Sequence, residues 1–374
     1  MSRRFNRWLL AQLNNAFYEA RKAKRRTRDE RNFEVFLPEN LKKLASSIIL
    51  RQYEPSRGIA FITRRPVIRE IFAAPFRDRV IHHFLFNQCA EWWDRRFIYD
   101  SYSCRKGKGT LFGIQRLKHH IRSVSQNYSK KTYVIKMDIQ GYFMSLPRKA
   151  LYERIVWGLD RQFADNEARK DLLKYLWRKI IFDDPIKGVK RRGSIHDWDN
   201  LPDSKSLFRQ KPGFGIVIGN LTSQLLSNIY LDQLDRYVIH TLGYKHYGRY
   251  VDDFYIVVTE DKLTQAKRDI EKIRKYLKSI NLTLHPKKTK IQEINRGVEF
   301  LGVVIYPYRI VMGKRYKTHF YEAAAEVGMG RKGIETVVSY LGHARHFDGQ
   351  KLASRIFERV GWRYMFYRKD VKPE

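Results

Sequence analysis

The spacing of apolar and polar positions divides the chain into helical and strand-like tracts. Trp8, Leu9, Leu13 and Phe17 recur at helical spacing, so residues 1–54 read as helical, with one packed face and one cationic face carrying Arg3, Arg4, Arg7 and the basic run from Arg21 to Arg31. Ile59–Ile62 reads as a short strand, Val80–Trp93 as a helix, Ser101–Thr110 as a flexible basic loop and Leu111–Val124 as a further helix. The nearly continuous apolar run Tyr133-Val134-Ile135-Lys136-Met137, within Lys131–Asp138, predicts a buried strand. Pro147 then starts a helix to about Leu159, and another helix is predicted over 162–181. Prolines and glycines make 183–215 a long irregular connection, which inside a compact domain points to a functional or mobile segment. Asn220 is predicted to cap a helix running to His240, with Leu221, Leu225 and Ile229 on its apolar stripe and Gly243 as its stop. Strands Lys245–Val251 and Phe254–Thr259 follow, joined at Asp252-Asp253, then a helix over 262–280 and short strands near 282–285, 298–305 and 308–312. Residues 318–374 read as helical and basic, and no internal repeat is visible.

Composition narrows the function classes. A chain of 374 residues has room for two or three subdomains, and 43% hydrophobic with 14% aromatic residues excludes a disordered chain. Lys plus Arg is 74 against 39 for Asp plus Glu, a formal charge of +35. Such self-repulsion calls for a polyanionic partner, and nucleic acid is the obvious one. No apolar run is long enough to span a bilayer, the apolar stretch after Arg7 is too short for a signal peptide, and two cysteines, Cys89 and Cys104, cannot build a disulfide framework. A cytoplasmic protein with no membrane partner is the expectation.

The chemistry concentrates in carboxylates. Asp252 and Asp253 sit side by side between strands built of Tyr, Val, Phe and Ile. Ionising both in such surroundings is costly, and a hard divalent cation such as magnesium removes the cost. A solvated Asp-Asp turn is the plain alternative. Asp138 also closes a buried-looking strand; strands adjacent in one sheet would bring Asp138 and Asp252 together, an arrangement that suits two cations serving nucleotidyl transfer. Gly219, Asn220, Ser223 and Gln224 open the following helix, where an ordinary capped helix start is the bland account.

The order Asp138…Phe143, Gly219-x-x-x-Ser223-Gln224, Tyr250-Val251-Asp252-Asp253, Lys287-Lys288 and Phe300-Leu301-Gly302 resembles the palm of a reverse transcriptase over roughly residues 60–310. Ile218-Gly219-Asn220-Leu221-Thr222-Ser223-Gln224 departs from the Gln-Gly-x-x-x-Ser-Pro of most such enzymes. Together with Arg69–Arg79 and Ser103–Thr110 it resembles reverse transcriptases of diversity-generating retroelements, relatives of the group II intron enzymes. The resemblance implies an α+β right-hand polymerase whose palm is an antiparallel sheet of about four strands backed by helices. It implies fingers over 55–131 and 147–212 (with the loop 183–212), palm over 132–146 and 213–312, a helical thumb over 313–374, and a basic extension over 1–54. The implied activity is RNA-directed DNA synthesis with adenine-directed mutagenesis. The implied partners are template RNA, the RNA–cDNA hybrid, deoxynucleotides, two Mg2+ ions and a small basic pentameric accessory protein, which could meet the N-terminus or the 183–212 segment.

Residue roles follow from the same resemblance. Asp138 and Asp252 are expected as metal ligands, helped by the Ile139 carbonyl and by Asp253 as a secondary or alternating ligand. Arg69, with Arg64 or Arg65, would grip the triphosphate, Phe143 would exclude a ribose 2′-hydroxyl, and Lys288 or Lys287 would protonate pyrophosphate. Ile218, Gly219 and Gln224 would flank the nascent base pair, with aliphatic Ile218 loosening selection opposite adenine. Arg105, Lys106, Lys108, Arg249 and Tyr250 are expected to contact nucleic acid. The pairs His82-His83, His119-His120 and His343-x-x-His346 lack partners at zinc spacing and read as ordinary histidines. Rival readings are a group II intron-like or phage-defence reverse transcriptase, and a non-catalytic RNA-binding scaffold of the same shape.

Overall fold

The computed structural model describes residues 2–22, 27–64, 67–331 and 333–359. Three helices open the chain: α1 (Arg3–Arg21), α2 (Arg28–Val35) and α3 (Leu37–Ile49). Leu9, Leu13, Ala16, Phe17 and Ala20 bury one face of α1 while Arg3, Arg4 and Arg7 stay exposed on the other. Next come β1 (Ile59–Thr63), β2 (Arg69–Ala73), α4 (Phe76–Asp94) and α5 (Thr110–Val124). Then follow β3 (Thr132–Asp138), a single turn α6 (Tyr142–Ser145), α7 (Arg148–Gln162) and α8 (Glu167–Phe182).

The stretch after α8 holds a two-residue strand β4 (Lys190–Arg191) and three short 3-10 turns. Helix α9 (Leu221–Arg236) continues as a π-helical turn, Tyr237–Thr241. The second half carries β5 (Tyr247–Tyr250), β6 (Asp253–Thr259), α10 (Glu260–Ser279), β7 (Lys290–Glu293), β8 (Val298–Phe300), β9 (Val303–Ile305) and β10 (Ile310–Met312), followed by α11 (Lys314–Gly328), α12 (Glu335–Ala344) and α13 (Gln350–Arg359).

The central sheet has the order β5-β6-β3-β7 and is antiparallel throughout. One face, with Ile135, Met137, Phe254, Ile256 and Val258, packs with α4, α9 and α10 into the main core. The other, with Val134, Tyr255 and Val257, packs with α5 and with the small sheet β10-β9-β8. A third sheet, β2-β1-β4, lies beside α9, because the Phe72 N–H donates to the Ile218 carbonyl at 2.9 Å. Helices α11–α13 gather around Phe320, Ala324, Val337, Ile356 and Phe357. The part of the helical and basic stretch 318–374 that follows Arg359 lies outside the described residues.

Several expectations fail in detail. Asn220 stands at the N-cap of α9, but its side chain makes no capping bond. Residues 282–285 form no strand, only a bridge between Leu284 and Ile139, and the edge strand is β7 instead. The run 298–305 folds into two strands around Leu301-Gly302, both at positive φ (45° and 88°), the backbone a two-residue hairpin needs. The central hairpin turns at Val251-Asp252 rather than Asp252-Asp253, because Tyr250 pairs with Asp253.

Candidate active site

Register places the carboxylates. Asp138, the last residue of β3, faces Asp253, the first of β6, so both side chains project from the same face of the sheet. Asp252 precedes Asp253 at the hairpin tip, and its carbonyl accepts from the Ile139 N–H at 3.2 Å. The Asp138 carbonyl accepts from the His285 N–H at 2.8 Å, so the end of β3 is clamped on both sides.

The three acids crowd each other. Burial, then the charge of Asp138, pushes the Asp252 carboxyl up to about 7. Burial pushes Asp253 up to about 6 against the pull of Lys136, whose Nζ lies 3.3 Å from Asp253 Oδ2. Asp253 Oδ1 is buried with no hydrogen-bond partner among the described residues. Lys288 Nζ donates to Asp138 Oδ1 at 2.9 Å. A cluster short of positive charge, with an orphaned carboxylate oxygen, suits a hard cation. Among the described residues no trio of His, Cys, Asp or Glu closes into a metal cage.

The tip is held from below. Val251 adopts φ 56°, a left-handed conformation unfavourable for a β-branched residue. Its carbonyl accepts from Arg249 Nη1 at 3.0 Å. Arg249 is fully buried, and its Nε and Nη2 each lie 2.7 Å from the carboxylate of Asp235, on α9. The expected contact of Arg249 with nucleic acid is therefore corrected: its guanidinium is spent inside the protein. Arg105 is corrected for the same reason, since it is buried and donates to the Asp94 side chain and to the carbonyls of Ile98 and Ser101. Lys108 packs over the Tyr99 ring at 4.4 Å and donates to the Tyr99 carbonyl, with burial lowering its pKa to about 8. Lys106 is exposed, and Tyr250 is half-buried beside Thr110.

Two of the expected nucleotide-side residues join the core beside the β2-β1-β4 sheet. Phe143 and Ile218 pack with Ala60, Phe72 and Met144. Gly219 has φ 130°, and a Cβ there would stand 2.6 Å from the Phe72 carbonyl oxygen, so no other residue fits against β2. Gln224 is exposed one turn along α9. Arg69 is exposed on β2; Arg64 is tied to Asp197 at 2.6 Å; Arg65 lies outside the described residues. Lys287 is exposed beside Lys288.

Sequence reasoning passed over Glu70. It is fully buried and accepts from Trp198 Nε1 (2.7 Å), Ser206 Oγ (2.9 Å) and the Leu207 N–H (2.5 Å). It pins the long connection after α8 to the β2-β1-β4 sheet. The signal was present, because strand alternation puts Glu70 on the same buried face as Phe72.

Residues 68–305, the span carrying all of these carboxylates, match the family described as reverse transcriptase (RNA-dependent DNA polymerase). Protein YkfC of Escherichia coli (strain K12) is 24% identical over 296 residues, 70% of this chain and 70% of that protein. Among solved structures, telomerase from Candida albicans in complex with a TWJ fragment of telomeric RNA aligns with a TM-score of 0.48 at 12% identity, covering 88% of this chain and 60% of that one. Apo telomerase from Candida tropicalis aligns with a TM-score of 0.46 at 12% identity, over 82% and 59%. The chain thus spans about three fifths of the length of those telomerase chains. Through the matched span, this α+β chain belongs to the reverse transcriptase family and has its right-hand polymerase fold.

Proposed function

We propose that the chain is an RNA-directed DNA polymerase with its reaction centre at Asp138, Asp252 and Asp253. The observation that carries this is the register of β3 against β6, which sets two carboxylates opposite each other and a third at the adjoining tip. Asp138 and Asp252, with the Ile139 carbonyl, would hold two magnesium ions; when bound, these supply Lewis acidity toward the primer 3′-oxygen and the triphosphate. Asp253, salt-bridged to Lys136, steadies the pair from the strand. Arg69 binds the triphosphate, Phe143 and Ile218 form an apolar wall at the base and sugar, and Lys288 donates a proton to the departing pyrophosphate. The β2-β1-β4 sheet and the segment it anchors serve as fingers, the central sheet as palm and α11–α13 as thumb.

The finer reading is a diversity-generating enzyme that misreads template adenines. Its support is the Ile218–Gln224 sequence, with an aliphatic side chain where relatives carry a polar one, and the apolar packing of Ile218. A pentameric accessory protein belongs to the same reading. The test is primer extension on RNA with magnesium and deoxynucleotides. Asp252→Asn should lower the rate at least about a hundredfold, and equal rates would remove the assignment. Sequencing the products tests the finer reading: substitutions confined to template adenines, reduced by Ile218→Gln, support it, and an even error spectrum refutes it.

A further inference from the structure

The turn that carries Lys288 hangs between two fixed ends. On one side Leu282 and Leu284 are buried, the Gln140 N–H donates to the Thr283 carbonyl at 2.8 Å, and the His285 N–H donates to the Asp138 carbonyl at 2.8 Å. On the other side Lys290 enters β7 and pairs with Lys136. Only Pro286, Lys287, Lys288 and Thr289 lie between, and two of them are adjacent lysines. The chain must select which ammonium meets the carboxylates. Lys288 Nζ lies 2.9 Å from Asp138 Oδ1, whereas Lys287 is exposed.

The selection is made inside the turn, whose first and fourth residues are His285 and Lys288. Pro286, in second place, fixes φ and offers no N–H, and the Lys288 N–H reaches the His285 carbonyl only at 3.4 Å. A bond that long holds the backbone weakly. The half-buried His285 side chain supplies a second tie, its Nδ1 accepting from the Lys287 N–H at 3.2 Å. Asparagine and aspartate make the same bond, from the side chain to the N–H two residues on, when they open a turn. A neutral imidazole that accepts at Nδ1 carries its proton on Nε2. A lysine side chain is long and has many rotamers, so where its ammonium goes depends on where its Cα is held. Misplacing a group that acts on a reacting atom by about 1 Å costs up to about a hundredfold in rate. We propose that His285 is a positioning residue: its imidazole sets the turn so that Lys288, and not Lys287, is presented to Asp138 and to the departing pyrophosphate. The part that concerns pyrophosphate rests on the polymerase reading; the selection between the two lysines does not.

Brief acetylation of the full chain with limiting acetic anhydride at about pH 8, where imidazole is neutral, followed by tandem mass spectrometry, gives the ratio of modification at Lys287 to that at Lys288. The two lysines are compared within one molecule, and an ammonium engaged by a carboxylate acylates more slowly than a free one. In the parent, Lys287 is expected to react several-fold faster than Lys288. His285→Leu keeps the bulk and removes the acceptor, and is expected to bring the ratio to about one; His285→Asn, whose Oδ1 makes the same bond, is expected to restore it. In primer extension His285→Leu is expected to lower kcat about fivefold with KM for deoxynucleotide within about twofold, and His285→Asn to recover kcat. A ratio unmoved by His285→Leu, or a kcat unmoved where the ratio falls, overturns the proposal. Failure of His285→Asn to restore the ratio overturns it too, because the acceptor is then not the cause. A parent that shows the ratio and its response but extends no primer upholds the lysine selection and fails the polymerase reading alone.

Discussion

At the scale of single residues, the hairpin tip shows how a strained backbone is kept. A β-branched residue at φ 56° costs on the order of 1–3 kcal/mol. The bond from Arg249 to the Val251 carbonyl, backed by the fully buried pair with Asp235, holds it there. Arg249→Met would leave the Asp235 carboxylate buried and unpaired, a loss of about 3–5 kcal/mol by denaturant unfolding. The double variant Arg249→Met/Asp235→Leu removes both charges and should regain most of that stability. If Arg249 positions the tip, the double variant still extends primers at a small fraction of the parent kcat, with KM for deoxynucleotide little changed. Recovery of kcat along with stability would reduce the arginine to a packing role.

Among elements, the two junctions of α4 and β2 with their neighbours give separate tests. His82 on α4 shares a 2.8 Å hydrogen bond with Thr222 on α9, and burial lowers its pKa to about 3. The unfolded chain protonates this imidazole near pH 6.5, whereas the native state refuses the proton until about pH 3. Stability from His82 is therefore complete above pH 6.5 and falls with acid, by about 2 kcal/mol at pH 5. Urea unfolding at pH 7.5 and pH 5 should show that slope, and His82→Gln should flatten it. Glu70→Ala would strand three donors from the segment after α8 and should speed trypsin cleavage between Lys187 and Lys211, with the rest of the chain resisting as before. These elements differ in how plainly the sequence announces them. β3, β6 and α9 are apolar enough to be read directly, and so are the acids that end the two strands. β7 has an exposed or half-exposed row, Lys290–Glu293, with no periodicity to betray it. The partner of Asp253 depends on where the hairpin turns, and a shift of one residue there changes which acid faces Asp138.

For the whole molecule, the lesson of Arg249 and Arg105 is that in a chain of charge +35 a cation's sequence neighbourhood does not say whether it faces water. Sequence reasoning puts both at nucleic acid, but the fold consumes Arg249 in the buried Asp235 carboxylate and Arg105 in the half-exposed Asp94 and the carbonyls of Ile98 and Ser101. The exposed row Arg3, Arg4 and Arg7 is different, because it lies opposite the buried Leu9–Phe17 stripe of α1 and is open to a polyanion. Each cation withdrawn from a phosphate should lower the slope of log affinity against log salt by about 0.7 for single-stranded RNA. Changing Arg3, Arg4 and Arg7 together to Gln should therefore reduce the slope for a single-stranded RNA substrate by about 2, with the melting temperature unmoved. Arg105→Gln should do the reverse, lowering the melting temperature through the lost bonds to the Ile98 and Ser101 carbonyls while leaving the slope where it was. Measuring both quantities for both variants separates the charge that holds the fold from the charge that meets RNA. A slope unchanged by the N-terminal triple variant would place the RNA on another face of the molecule.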